Sequence, residues 1–150
     1  MKIDPRIANE ATAFFNLGKQ EYLKHGDSMN SEKDIYTFIP IIVNLAFSIE
    51  LFLKSMLDNV RGHDLEILFS KIDDNERNAI LQLTIKQVQQ LEPDFQEADF
   101  WDCLRRNKVA FEDWRYFYQR GKNADIFFLL SFSTALHNII SMVMEFGEKA

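Results

Sequence analysis

With Cys103 as its one cysteine, the chain can form no intramolecular disulfide, a composition that fits a reducing compartment. Turn formers are scarce: three Pro and five Gly in 150 residues argue against a turn-rich all-β fold. A positive balance is also missing. The formal net charge is −6, so the chain as a whole is no electrostatic glove for nucleic acid, and any such contact has to come from a local basic patch. The opening MKIDPRIANEATAFF lacks the basic-then-apolar order of a signal peptide, which points to the cytoplasm. There is no Gly-rich phosphate loop, no G-x-S-x-G elbow and no recognisably spaced pair of catalytic carboxylates. His25, His63 and His137 stand far apart and no Cys pair exists, so no metal site and no cofactor is implied. Repeats, low-complexity tracts and linkers are absent, and residues 1–150 read as one domain.

What is present is apolar and helical. Hydrophobic residues make up 47% of the chain, and 14 Phe against two Trp and four Tyr predict a core filled largely by Phe. Asp4-Pro5 reads as a helix start, and Ile7, Ala11, Phe14, Phe15, Gly18 and Tyr22 fall on one stripe. Gly18 on that inner stripe suggests close approach of another backbone, or equally a Gly that the helix merely tolerates. A second helix is predicted from about Pro40 to Val60, since Pro40 disfavours helix at Ile39 and Arg61-Gly62 breaks it. Asp64 caps a short helix over about 65 to 72 that buries Leu65, Leu68 and Phe69. Asp73 with Glu76 starts a helix to about Leu91, with Leu91 inward, and Asp94 with Glu97 starts the next. The stripe of that helix is Phe100, Leu104, Asn107, Phe111, Trp114 and Tyr118, with Asn107 as a polar anomaly. The last helix runs from Asn123 to about Phe146, with Leu129, Phe132, Leu136, Ile140 and Val143 as its core stripe. A second, polar stripe comprises Ser133 or Thr134, His137, Asn138 and Ser141. Within that helix Ile126 to Met144 carries no charge and is long enough to span a bilayer. Its Ser, Thr, His and Asn side chains are expensive in lipid and cheap in a bundle, so a buried helix is expected and no membrane. The fold class is therefore all-α: a single bundle of five to six helices.

The stretch from Asn44 to Ile72, NLAFSIELFLKSMLDNVRGHDLEILFSKI, organises the rest. Its first helix is apolar on most of its circumference, the pattern of a helix covered on several sides, and is expected at the bundle's centre. Glu50, Lys54 and Asp58 recur every four residues on one face. They read either as a polar site within the bundle or as a solvated ladder of ion pairs.

The pattern Phe47-x-x-Glu50-Leu51-x-Leu53-Lys54-x-x-Leu57 followed by Gly62-His63-Asp64-Leu65-x-x-Leu68-Phe69 resembles the second helix and following turn of prokaryotic HEPN domains. The resemblance is strong over about a fifth of the chain and extends more weakly to Arg106–Tyr118. It implies a small helical bundle, often a homodimer. Many members are metal-independent RNases of toxin–antitoxin and defence systems; others are non-catalytic partners, commonly of a cognate nucleotidyltransferase. The RNase motif of the family is an Arg, a polar residue and, four to six residues after the Arg, a His. Here Arg106 and Asn107 stand at its start, but Phe111 and Glu112 occupy the place of the His. A Phe cannot exchange a proton, so a His-type base is missing there.

These readings converge on a polar cleft between the second and fourth long helices, lined by Glu50, Lys54, His63, Arg106, Asn107 and Arg115. Its occupant is expected to be a protein, a nucleotide or RNA. The first expectation is a non-catalytic binding and dimerisation module with no catalytic residue. One rival is an RNase toxin or defence effector with a displaced site, using Arg106 with His63 or His137. Another is a purely structural oligomerisation module. Arg105, Arg106, Lys108, Arg115, Arg120 and Lys122 interleave with Trp114, Tyr116, Phe117 and Tyr118. That mixture suits base stacking and phosphate binding, or equally a half-buried helix end with Arg stems over aromatic faces.

Overall fold

A computed structural model describes residues 2–25, 35–108 and 123–149. Among the described residues six helices form an all-α bundle: α1 (Pro5–His25), α2 (Ile35–Ser55), α3 (Leu65–Ser70), α4 (Asp74–Val88), α5 (Glu97–Asn107) and α6 (Asn123–Lys149). The described residues contain no strand.

α2 lies at the centre, packed against α1, α3 and α6. It runs antiparallel to α1: the Asp4 amide donates to the Ser55 carbonyl at 2.9 Å, while Gly18 sits against Leu45. α2 does come close at Gly18, but the atoms that meet it belong to the side chains of Leu45 and Asn44 and not to the backbone that was expected. A Cβ there would lie 2.8 Å from Leu45 Cδ2 and 2.9 Å from Leu45 Cγ. Both ends of α2 differ from the sequence expectation of about 40 to 60. The helix starts at Ile35 and runs through Pro40. A proline in a helix interior costs about 3 kcal/mol. Burying Phe38, worth roughly 1.5–3 kcal/mol, offsets this together with the bonds gained by extending an existing helix. At the other end α2 stops at Ser55, before the expected Val60. The Met56 and Leu57 amides bond back three residues to Leu53 and Lys54, tightening the last turn, and Asn59 takes a left-handed φ of 48°. Asp58 therefore leaves the helix face it was expected to share with Glu50 and Lys54, and is exposed.

Asp64 caps α3 as expected, accepting from the Glu66 and Ile67 amides at 3.0 and 3.2 Å. α3 buries Leu65, Leu68 and Phe69. α4 ends at Val88 instead of Leu91, because Leu91 N bonds Val88 O in a tighter turn; this swings Leu91 outward to 64% exposure, a correction to its expected inward place. α5 starts later than Asp94 would place it. Asp99, not Glu97, supplies the returning carboxylate, accepting from the Gln96 amide at 2.8 Å. That register turns Phe100, Leu104 and Asn107 inward.

Phenylalanine fills the core. Phe69 of α3, Phe100 of α5 and Phe132 of α6 meet at centroid distances of 5.3–5.5 Å, with Trp101 and Phe128 on the flanks. On the other side of α2, Phe15 and Phe52 meet edge-on at 6.2 Å. The polar stripe of α6 is handled locally: Ser133 and Thr134 both donate to the Leu130 carbonyl, while Asn138 and Ser141 are exposed. Phe38–Ser55 and Ile126–Phe146 are long and apolar enough to cross a membrane, yet more than half of each is enclosed by the fold.

Candidate functional site

Glu50 lies on α2 between fully buried Ile49 and Leu53, and its side chain is 2% exposed. A carboxylate taken out of water is costly unless charged or hydrogen-bonding partners meet it. Two do. Lys54, one turn on, places Nζ 3.3 Å from Oε2. His63 places Nδ1 2.9 Å from Oε1. The two partners arrive by different routes. Lys54 shares the Glu50 face by helical period. His63 returns to α2 because the chain reverses twice, at Asn59 with φ 48° and at Gly62 with φ 105°. Asp64 then starts α3, and the Leu65 amide donates to the Lys108 carbonyl at 2.7 Å, tying the start of α3 to the end of α5.

Exposure rises outward across this cluster, from Glu50 at 2% to Lys54 at 20% and His63 at 48%. A buried anion thus anchors two cationic or cation-forming groups at the surface. The carboxylate accepts and cannot donate, so Nδ1 of His63 carries the hydrogen and the ring orientation and tautomer are fixed. In the neutral ring the basic nitrogen is then Nε2. Such an arrangement can present charge to an anion, or hold an imidazole ready to accept a proton.

Arg106 and Asn107 each make a contact to Cys103 within α5. Arg106 is exposed on α5, with Nη2 3.2 Å from the Sγ of buried Cys103. It lines a cavity of about 320 Å³ with Val88, Phe95, Asp99, Asp102 and Phe128, a lining that does not include Glu50, Lys54 or His63. Asn107, the next residue, points about 100° away on the helix and into the core. It is 1% exposed; its Nδ2 donates to the Cys103 carbonyl at 2.8 Å, and its Oδ1 has no partner among the described residues. Arg115, with Phe111, Glu112 and the aromatic run from Trp114, lies outside the described residues.

His137 is on the far side of α2 from the cluster. It stacks on Phe15 at 4.9 Å and lies 6.0 Å from the ring of Phe52, which is about 200° around α2 from Glu50. Burial pushes its pKa below the ordinary 6.5; the Asn138 hydrogen bond opposes this and the charge of Lys19 adds to it. Its surroundings are those of an aromatic packing residue.

One contact was not legible from spacing. Arg105 bridges Glu66 of α3 and Asp102 of α5, both at 3.0 Å, and the Glu66 partner is 39 positions away in the chain. Among the described residues no three His, Cys, Asp or Glu side chains are grouped to hold a metal ion. No family model, no curated protein and no solved structure matches the chain.

Proposed function

We propose that the chain acts by binding, as a non-catalytic HEPN-like module whose polar site is centred on Glu50, Lys54 and His63. The observation that carries this reading is the convergence of Lys54 and His63 on one buried carboxylate. It gives an otherwise apolar helix a fixed polar outlet beside the α3–α5 junction. Position 111 is Phe and position 112 Glu, so the stretch after Arg106 offers no His to exchange a proton with RNA. A second copy of the chain, a protein such as a nucleotidyltransferase, or a nucleotide or RNA are the partners this reading allows. Exposed Leu17 and Leu23 on α1, with Met142 and Phe146 on α6, supply apolar surface for a symmetric homodimer. The test is twofold. Light scattering of the purified protein is expected to give a dimer, and incubation with RNA is expected to leave the RNA intact.

The displaced-site RNase reading has one observation in its favour. A carboxylate behind Nδ1 is the arrangement that orients an imidazole base. Cleavage of RNA by the pure protein, abolished by His63→Ala with helix content unchanged, selects that reading over the binding module. His137, packed on Phe15, is the weaker base for it.

A further inference from the structure

We propose that His137 is a proton-operated latch on the seam between α1 and α6, holding the seam closed when neutral and releasing it when protonated. The device stands apart from the Glu50 cluster and does not depend on it. α1 lies mainly along α2 and meets α6 only over a short stretch. Within that stretch the half-buried imidazole of His137 stacks on Phe15 at 4.9 Å, with an interplanar angle of 27°. Phe15 is 2% exposed, and the ring of Phe52, 6.0 Å from the imidazole, is 0% exposed. The Phe15 ring already carries one cation, with Lys19 Nζ 5.7 Å from its centroid.

A neutral imidazole suits this apolar seam and an imidazolium does not. Burial against the rings penalises the charged form, and Lys19 repels it. The Asn138 hydrogen bond and the π-face of Phe15 favour the charged form, yet the pKa stays below the ordinary 6.5. Among the described residues no further charge faces the ring. On α1 the residues one turn from Phe15 are Ala11, Thr12, Gly18 and Lys19. On α2 Glu50 and Lys54 each lie about 200° around the helix from Phe52. On α6 Ser133, Thr134, Asn138 and Ser141 are uncharged, and Glu145 stands more than two turns further on. Once the seam opens, the imidazole regains water and its ordinary affinity for a proton. Closure is therefore at full strength above about pH 6.5 and weakens as pH falls below it, by the ratio of the two ionisation constants. The released state presents Phe15 and Phe52, two rings otherwise enclosed.

Proton NMR of the intact protein between about pH 8 and about pH 5 tests the latch. The His137 ring signals are expected to titrate with a midpoint below 6.5, and cross-relaxation between the His137 and Phe15 rings to fade with that same midpoint. The apolar dye anilinonaphthalene sulfonate is expected to bind at least about threefold more at about pH 5 than at about pH 8, while helix content by circular dichroism stays constant. Lys19→Gln, at an exposed position, removes the repulsion and is expected to raise the midpoint toward 6.5. His137→Phe keeps an aromatic ring against Phe15 with no proton to gain, and is expected to bind little dye at either pH. A midpoint at or above 6.5, a Phe15 contact that persists below the midpoint, or dye binding that rises equally in His137→Phe overturns the proposal. Loss of helix content together with the contact overturns it too, because the chain is then unfolding as a whole.

Discussion

Replacing Gly18 by Ala sets two effects of similar size against each other. In an exposed helix interior the change stabilises by roughly 0.8–1.0 kcal/mol, because Ala loses less backbone entropy. Here the new methyl carbon meets Leu45 Cδ2 at 2.8 Å and Cγ at 2.9 Å. Carbon pairs prefer about 3.5–4.0 Å, so a shift of several tenths of an ångström or more is required. Leu45 is 0% exposed, and Asn44 Cβ at 3.4 Å closes the other side. Extra volume in a well-packed core costs about 1–3 kcal/mol. The balance is a net destabilisation of about 1 kcal/mol, or a fall in Tm of about 2–4 °C for a chain of this size. Urea unfolding followed by circular dichroism measures it. Leu45→Ala alone is expected to cost about 2–5 kcal/mol by leaving a cavity. In the double variant the methyl introduced at position 18 occupies part of that space. The sum of the single costs should therefore exceed the double by at least about 0.5 kcal/mol. A Gly18→Ala variant more stable than wild type, or costs that simply add, would refute the close helix contact.

Asp64→Ala removes the acceptor for two α3 amides and is expected to cost about 0.5–2 kcal/mol in the same urea assay. Glu50→Ala, by contrast, leaves Lys54 and His63 able to turn into water, so its cost is expected below the roughly 3–5 kcal/mol seen when a fully buried partner is stranded. His137 sets a pH dependence. Its folded pKa is depressed below 6.5, so the unfolded chain takes up the proton first as pH falls. Its contribution is intact above about pH 6.5 and is lost as pH drops below that; Tm measured across this range should fall less steeply in His137→Phe.

Much of the bundle was legible because its signals are local. Asp64 before Leu65 is a cap whichever neighbours it has, and the stripe of Leu129, Phe132, Leu136 and Ile140 follows from helical period alone. Boundaries failed where distant burial outweighed local preference, as at Pro40, or where a helix tightened before its hydrophobic pattern ended, as at Ser55 and Leu91. The ends of α2 matter to the site. Spacing put Glu50, Lys54 and Asp58 in one row, whereas the early end of α2 removes Asp58 and the turn at Asn59 and Gly62 brings His63 to Glu50. No periodicity encodes a contact made by a reversing turn. Arg106 and Asn107 are neighbours in sequence and part company in space, because one residue on a helix turns the side chain by about 100°.

The main-chain bond from Leu65 to Lys108 has a consequence for how the site rim tolerates sequence change. Both partners are backbone atoms, so substitution at 108 leaves the tie in place. Leu65 is the first residue of α3, the helix position where proline is ordinarily most welcome because its amide has no partner within the helix. In this protein that amide is already spoken for by another helix. Leu65→Pro should therefore loosen α3 from α5 beyond what Leu65→Ala does, and a position that tolerates proline in an ordinary helix becomes a restrictive one in α3.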